Sequence, residues 1–281
     1  VRRSTVSICP FIMSRPPTVT TATDRELVKN SIDSGASIVT VEIRRGGVTY
    51  IRVTDNGCGI AREDVATAFL RHATSKIRRQ EDLACIGTLG FRGEALAAIS
   101  AVSKIDLLTR AQGAADGVRL HLEAGKVLSE EPAGCPCGTT ILVRELFYNT
   151  PARMKFMKSD AAESSAVFSV VQQQALAHPE ISFRFLKDGQ EQLHTDGQGD
   201  RMAAIYAIYG RELANNMLSV DGSWEKLRVR GYGIVGKDDG KPVGGCEGRK
   251  RYNYGCVGER GRSLSRGEGR GGEQQDADRV Q

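Results

Sequence analysis

The chain lacks the patterns that mark several large classes of protein. Among its 281 residues no apolar stretch is long enough to span a membrane, so we expect no membrane partner. The short apolar run at residues 6–13 is broken by Pro10 and no small-residue cleavage site follows it, so we expect no signal peptide. Seven cysteines with irregular spacing argue against a disulfide framework, and Cys135-Pro-Cys137 lacks the second ligand pair of a zinc site.

Composition and charge leave nucleic acid open as a partner. A net charge of +5 and a pI near 8.8 permit contact with DNA without requiring it. The glycine-rich segment 85–100 contains neither the Gly-Lys-Ser/Thr of a P-loop nor the Gly-x-Gly-x-x-Gly of a dinucleotide-binding turn. No metal-ligand spacing connects the histidines, which are His72, His121, His178 and His194.

The glycine-rich segment nevertheless has the pattern of an anion site. Residues 90–93 are Gly-Phe-Arg-Gly, and Glu94 then begins an apolar run with helical spacing. A glycine turn that leads into a helix presents backbone N–H groups and the positive end of the helix dipole to a phosphate. The same pattern is typical of a tight turn that caps a buried helix, so the segment alone leaves both interpretations open.

A predicted β-hairpin ends in an acidic residue that faces the core. Two alternating runs at 38–44 and 48–54, joined by a Gly-Gly pair, predict the hairpin. Asp55 continues the inward parity of the second run, and a carboxylate there needs hydrogen-bond donors. The amino group of adenine is one such donor, and Gly57 and Gly59 leave space beside it for a flat base. The alternative is a turn that merely ends the strand.

The first predicted helix has a polar face that can carry metal and base chemistry. Thr23 or Asp24 can cap its N-terminus. Glu26, Asn30 and Asp33 fall within an arc of about 60° on this helix. Glu26 is placed to polarise a water molecule as general base, and Asn30 offers a carbonyl oxygen to a hard cation such as Mg²⁺. A solvated polar face is the alternative interpretation.

The remaining pattern alternates helices with largely antiparallel strands. This order predicts an α/β fold, an α+β sandwich in which helices cover one face of a mixed sheet. The predicted strands lie at 104–109, 118–122, 139–143, 181–186, 190–194 and 224–232, and the predicted helices at 163–177 and 200–209.

Three segments, taken in order, resemble the nucleotide-binding boxes of the GHKL ATPases, the superfamily of DNA gyrase, heat-shock chaperones and histidine kinases. They are Glu26-x-x-x-Asn30, Asp55-x-Gly57-x-Gly59 and Gly90-Phe-Arg-Gly93. Two further segments are similar to the MutL family of mismatch repair ATPases in particular, and they are Arg71-His-Ala-Thr-Ser-Lys-Ile77 and Leu146-Phe-Tyr-Asn-Thr-Pro-Ala-Arg153. The resemblance implies the GHKL ATP-binding (Bergerat) fold.

The resemblance also implies roles for individual residues. Glu26 would be the general base, Asn30 the Mg²⁺ ligand and Asp55 the residue that binds adenine, so the implied cofactors are ATP and Mg²⁺. Thr139 matches a strand threonine that supports the nucleotide. The implied nucleotide-binding residues are Asp55, Gly57, Gly59, Arg71, Thr74, Ser75, Lys76, Gly90, Phe91, Arg92, Gly93, Glu94, Ala95, Leu96 and Thr139.

The resemblance divides the chain into four parts. Residues 23–195 would be the GHKL ATPase domain, and residues 196–232 the start of a transducer domain similar to domain 2 of ribosomal protein S5. Residues 1–22 depart from the family pattern, and we expect them to be disordered or non-native. The Gly/Arg-rich residues 233–281 also depart from it, and we expect a disordered or out-of-frame tail, with an RNA-binding tail as the alternative.

The implied function is nucleotide-controlled DNA mismatch repair. ATP binding and slow hydrolysis would control homodimerisation and contact with DNA and with a mismatch-recognition protein of the MutS type, in the bacterial cytoplasm. DNA binding would be weak and independent of sequence. Two alternatives stay open, namely a nucleotide-binding fragment without catalysis and another GHKL enzyme of the gyrase or kinase type.

Overall fold

The computed structural model describes residues 19–70, 94–224 and 227–234, which fall into two compact units that divide after Met217. The helices are α1 (Val19–Asp33), α2 (Arg62–Val65), α3 (Ala95–Ser100), α4 (Pro151–Met154), α5 (Asp160–Ala177), α6 (Arg201–Tyr209) and α7 (Arg211–Asn215). The strands are β1 (Ile38–Arg44), β2 (Tyr50–Asp55), β3 (Lys104–Arg110), β4 (Gly117–Glu123), β5 (Lys126–Ala133), β6 (Gly138–Arg144), β7 (Ser182–Lys187), β8 (Gln190–His194), β9 (Met217–Trp224) and β10 (Leu227–Ile234).

An eight-stranded mixed sheet forms the centre of the larger unit. Its strand order is β5-β4-β3-β6-β2-β1-β7-β8, and the β1–β7 pairing is parallel while the other described pairings are antiparallel. Alternate side chains of the central strands are buried on the face against which α1 and α5 pack. The α/β sandwich predicted from the order of elements is therefore confirmed.

The predicted β-hairpin is confirmed, with a shorter second strand. The runs 38–44 and 48–54 become β1 and β2, but β2 begins at Tyr50, because Val48 and Thr49 continue the turn that the 3₁₀ helix at Arg45–Gly47 begins. Gly46 in this turn has φ of +69°, and a Cβ there would lie 3.0 Å from Cβ of Glu163. Glycine is required at this position by both backbone conformation and close approach.

The first helix begins earlier than its local capping signals indicate. Helix α1 starts at Val19, so the expectation that Thr23 or Asp24 caps it is wrong. Both residues instead lie inside the helix and are buried, at 6% and 0% exposure. Capping preferences describe an isolated helix end, whereas here the packing of α1 against α5 decides where the helix starts.

Strand β5 was not predicted, and its position in the sheet explains why. It lies at one edge, and most of its side chains are exposed, including Val127 and Leu128. An edge strand without a buried face has no reason to alternate apolar and polar residues, so periodicity does not reveal it. The other predicted strands of the larger unit are confirmed to within two residues at each end.

The second unit contains a two-stranded sheet formed by β9 and β10. The single strand predicted at 224–232 is wrong in its start, since Trp224 is the last residue of β9 and β10 begins at Leu227. In the larger unit, the helix predicted at 200–209 is confirmed as α6, and the Asp200 carboxylate caps it by accepting from the backbone N of Met202 at 2.8 Å. The limits of the family domains remain predictions.

Candidate functional site

Three polar side chains interrupt an apolar row on the inner face of the sheet. At one register position the row runs from Val39 through Asp55, Thr139 and Thr109 to Val118. Both valines are buried, as are Thr139 at 9% and Thr109 at 0% exposure. Burial of polar groups costs free energy unless hydrogen bonds satisfy them. Asp55, Thr139 and Thr109, called the polar row below, must therefore be satisfied by specific partners.

The Asp55 carboxylate accepts three hydrogen bonds from the chain. Ser31 Oγ donates to Oδ2 at 2.8 Å, and the backbone N atoms of Gly57 and Thr139 donate to Oδ1 at 3.0 and 3.2 Å. Burial raises the pKa of Asp55, and these three bonds act in the opposite direction. An ionised carboxylate has about four acceptor positions, so about one remains for a donor on a ligand. The predicted inward orientation of Asp55 is confirmed.

The glycine turn after Asp55 is pinned tightly against the rest of the chain. A Cβ on Gly57 would lie 1.9 Å from Ser34 Oγ, and one on Gly59 would lie 2.0 Å from the carbonyl oxygen of Arg110. The backbone N of Cys58 between them donates to the Ser34 carbonyl at 3.0 Å. On these sides the space beside the glycines is filled by the protein itself, rather than left for a base as we expected. Their absent side chains let the turn approach α1 and β3.

Helix α1 brings its polar residues to the Asp55 side of the sheet. Leu27 and Val28 are buried in the core, while Ser31 on the next turn is 3% exposed and bonds Asp55. Glu26 and Asn30 lie one helical turn apart and are both half-buried. The Glu26 carboxylate accepts from Lys29 Nζ at 2.9 Å. The structure thus places Glu26 and Asn30 on the helix that contacts Asp55.

Only part of the predicted phosphate-binding set lies within the described residues. Glu94 is exposed and immediately precedes α3, and its carbonyl oxygen accepts from the backbone N of Ala98 at 2.9 Å. Ala95 and Leu96, in the first turn of α3, are half-buried. The predicted residues that lie outside the described part of the chain are Arg71, Thr74, Ser75, Lys76, Gly90, Phe91, Arg92 and Gly93.

Sequence reasoning missed Thr109, the third member of the polar row. Its hydroxyl lies 3.0 Å from each of three atoms, namely the backbone N of Ile60, the carbonyl oxygen of Gly138 and Oγ1 of Thr139. The signal was present, because Thr109 has the inward parity of Ile105 in its strand, as Asp55 has in β2. What the sequence does not contain is the β3–β6 pairing that sets Thr109 opposite Thr139.

Other predicted features concern metals, thiols and membranes. Cys58, Cys135 and Cys137 are free thiols, as expected. Within residues 19–70, 94–224 and 227–234, no group of three or more His, Cys, Asp or Glu side chains is arranged to hold a metal ion. A Mg²⁺ ion that shares one amide oxygen with phosphates and waters needs no such group. Among the described helices, none has the length and apolar character needed to cross a membrane.

A cationic and apolar surface surrounds the short helix α4. Phe156 is 81% exposed and Met154 is 44% exposed, both unusual for large apolar side chains. Arg153 and Lys155 alternate with them along the chain and are also exposed, and Lys158 follows. The Arg153 guanidinium lies 5.9 Å from the centre of the Phe147 ring. We call residues 153–158 the α4 surface.

Comparison with known proteins first defines the class. The family of histidine kinase-, DNA gyrase B- and HSP90-like ATPases matches residues 19–132, which contain α1, the glycine turn and strands β1 to β4. This is the GHKL class of ATPase folds. The Aquifex aeolicus MutL ATPase domain complexed with ADP has a similar structure, with a TM-score of 0.64 and 28% identity over 79% of each chain.

Within that class the chain belongs to the MutL family, whose members carry the name DNA mismatch repair protein MutL. The protein from Agathobacter rectalis is 46% identical over 243 residues, which are 86% of this chain and 36% of that protein. The protein from Streptococcus thermophilus is 44% identical over 221 residues, which are 79% of this chain and 34% of that protein. The chain thus spans about a third of the length of these curated relatives.

Proposed function

We propose that this chain binds ATP with Mg²⁺ and hydrolyses it slowly, as the nucleotide-binding part of a MutL-type mismatch repair protein. The observation that carries the proposal is the Asp55 carboxylate, which is half-buried, holds three donors from the chain and retains about one acceptor position. The amino group of adenine supplies the missing donor. The ADP bound to the Aquifex aeolicus MutL domain supports the same ligand class.

Helix α1 supplies the groups for metal binding and hydrolysis. Asn30 would hold Mg²⁺ through its amide oxygen, a hard neutral ligand of the kind this ion accepts, and the ion would neutralise charge on the phosphates. Glu26, one turn earlier, would take a proton from the attacking water. The Glu26 side chain is about one-third exposed, at 35%, so water can reach it. Lys29 Nζ lies 2.9 Å from the carboxylate and forms an ion pair with it.

The phosphates would contact two segments that precede α3 in the chain, the second of which runs into its first turn. By resemblance the residues from Arg71 to Lys76 and from Gly90 to Leu96 surround them, with Ala95 and Leu96 contributing the first turn of the helix. Thr139 would support the base from β6, next to Asp55.

Contact with DNA and partner proteins would depend on the nucleotide. The α4 surface offers Arg153, Lys155 and Lys158 to the phosphate backbone, in a manner independent of sequence. Mismatch repair further implies a mismatch-recognition partner of the MutS type, a homodimer and a cytoplasmic location. The similarity to MutL proteins favours this function over an enzyme of the gyrase or kinase type. The alternative of a binding module without catalysis makes no use of Glu26.

Calorimetric titration of the purified chain with ATP and with GTP, each with Mg²⁺, tests the proposal. We expect a measurable affinity for ATP and a clearly weaker one for GTP, because guanine presents a carbonyl where adenine presents the amino group. Equal affinities for ATP and GTP would exclude the proposed role of Asp55 in adenine recognition. Binding of ATP without any phosphate release would favour the non-catalytic module.

A further inference from the structure

The Thr109 hydroxyl stands at the centre of a closed hydrogen-bond network. It is fully buried and lies 3.0 Å from the backbone N of Ile60, from the carbonyl oxygen of Gly138 and from Oγ1 of Thr139. These contacts connect three segments, namely the end of the glycine turn, β3 and β6. No other side chain of the polar row has contacts with all three segments among the described hydrogen bonds.

The chemistry of a hydroxyl group determines the direction of each bond. A hydroxyl has one proton to donate and two lone pairs that accept. The Ile60 N–H can only donate, so it uses one lone pair of Thr109, and the Gly138 carbonyl can only accept, so it receives the Thr109 proton. Thr139 must then donate its own proton into the second lone pair of Thr109.

This arrangement leaves Thr139 with lone pairs only on the side that faces away from Thr109. Thr139 is the cross-strand neighbour of Asp55, and its backbone N already donates to Asp55 Oδ1 at 3.2 Å. The free positions of both side chains are then acceptors. A ligand edge that carries N–H groups is favoured here, and one that carries a carbonyl meets acceptors and loses its hydrogen bonds.

We propose that Thr109 is a positioning residue for base selectivity, which acts through Thr139 by fixing the direction of its hydroxyl proton so that the site accepts an amino-bearing purine and rejects a 6-oxo purine. This inference rests on the proposed function, because it assigns a selectivity device to the same nucleotide site. Thr109 itself need not touch the base.

The sheet contains a matched pair of threonines on its other face. Thr140 Oγ1 donates to Thr54 Oγ1 at 3.2 Å across the β2–β6 pairing, one residue away from Asp55 and Thr139 on the same strands. Because neighbouring residues of a strand point to opposite faces, this pair lies away from the polar row. Removal of a hydroxyl from this pair therefore tests for a general effect of a lost threonine bond in the sheet.

The test compares nucleotide dissociation constants of Thr109→Val, Thr109→Ser and Thr54→Val with those of the unmodified chain. The probes are ATP and inosine triphosphate, which carries a carbonyl in place of the adenine amino group. In Thr109→Val the Thr139 proton is released to face the ligand, and we expect the preference for ATP to fall about tenfold. Thr109→Ser retains the hydroxyl and should keep the preference, as should Thr54→Val.

The outcomes separate this inference from the proposed function. If Thr109→Val weakens both nucleotides by the same factor, Thr109 is only structural and the inference is wrong. If the unmodified chain binds neither nucleotide, the proposed function itself is wrong. Should Thr109→Val not fold, Thr139→Val removes the same oriented hydroxyl and is expected to lower the preference for ATP similarly. An unchanged preference in that variant would overturn the inference.

Discussion

Asp24 within α1 and Asp55 at the end of β2, which contacts α1, show how burial of a carboxyl can serve binding or oppose folding. Asp24 lies in the first half of the helix, and Asp55 contacts Ser31 near its end. Burial raises the pKa of both carboxyls. Asp55 has three donors that favour its charged form, whereas among the described residues no other residue donates a hydrogen bond to either oxygen of Asp24.

The neighbour of Asp24 makes its position less favourable still. Glu163 on α5 is 1% exposed, accepts from the backbone N of Lys158 at 3.0 Å and from the Thr20 hydroxyl, and repels a charge on Asp24. Burial and this repulsion raise the pKa of Asp24 to about 8, so the residue is largely protonated at neutral pH. The Asp55 carboxyl in the candidate site has donors from the chain, whereas the Asp24 carboxyl is buried without them and takes up a proton.

The largest effect is expected at Glu26, which lies on α1 between Asp24 and Ser31, the residue that donates to Asp55. Glu26→Ala should lower the rate of ATP hydrolysis by about 10²–10⁴-fold and leave ATP affinity nearly unchanged, because a general base acts on the water rather than on the bound nucleotide. Phosphate release and calorimetry measure the two quantities. The matched control is Lys29→Ala, which removes the ion pair but keeps the carboxylate. Undiminished phosphate release by Glu26→Ala would eliminate it from the mechanism.

The next effect is the dependence of stability on pH at Asp24. The folded chain keeps the proton on Asp24 up to about pH 8, whereas the unfolded chain releases it near pH 3.8. Between these values the folded state binds more protons than the unfolded state. The contribution of Asp24 to the free energy of unfolding therefore falls as pH rises, by at most about 1.4 kcal/mol per pH unit. Urea denaturation at several pH values measures this slope.

Asp24→Asn should flatten that slope, because the amide does not titrate. Asp160→Asn is the control, since Asp160 is exposed on the first turn of α5 and pairs with Arg45. If Asp24→Asn and the unmodified chain show the same slope between pH 4 and pH 8, Asp24 is not the proton acceptor and the contrast with Asp55 fails.

A smaller effect, on binding rather than on folding, is expected for Asp55→Asn. An amide presents a donor where the site holds an acceptor, so ATP affinity should fall by about 1–3 kcal/mol, roughly 5- to 150-fold. Calorimetry of the same variants sharpens the comparison, since Asp24→Asn should leave the affinity close to that of the unmodified chain. A large loss of affinity in Asp24→Asn with none in Asp55→Asn would reverse the roles of the two carboxyls.

The smallest effect is expected at the α4 surface, which lies far along the chain from both Asp24 and Asp55. Lys155→Ala should weaken binding to any DNA duplex and reduce the slope of log affinity against log salt by about one, as expected for one lost phosphate contact. Lys126→Ala on the edge strand β5 is the control and should leave the slope unchanged. Fluorescence anisotropy across a salt series measures both, and equal slopes for all three proteins would exclude Lys155 from DNA contact.

Local patterns in the sequence determined a large part of the fold and of the site. Period-two runs predicted β1, β3 and β6, and helical spacing predicted α5, because the burial of one face imposes these periods on any chain. Asp55 was identified in the same way, as a polar residue at an inward position. The order of its motifs also placed the chain among MutL-type ATPases, with which the comparisons agree.

Tertiary structure alone decided the features that depend on residues far apart in the chain. The start of α1, the burial of Asp24 beside Glu163 and the edge strand β5 follow from packing between segments. Likewise, no local pattern could show that Thr109 lies opposite Thr139 or that Ser31 donates to Asp55. Periodicity specifies which side of an element faces inward, whereas strand pairing and helix packing determine what it meets there.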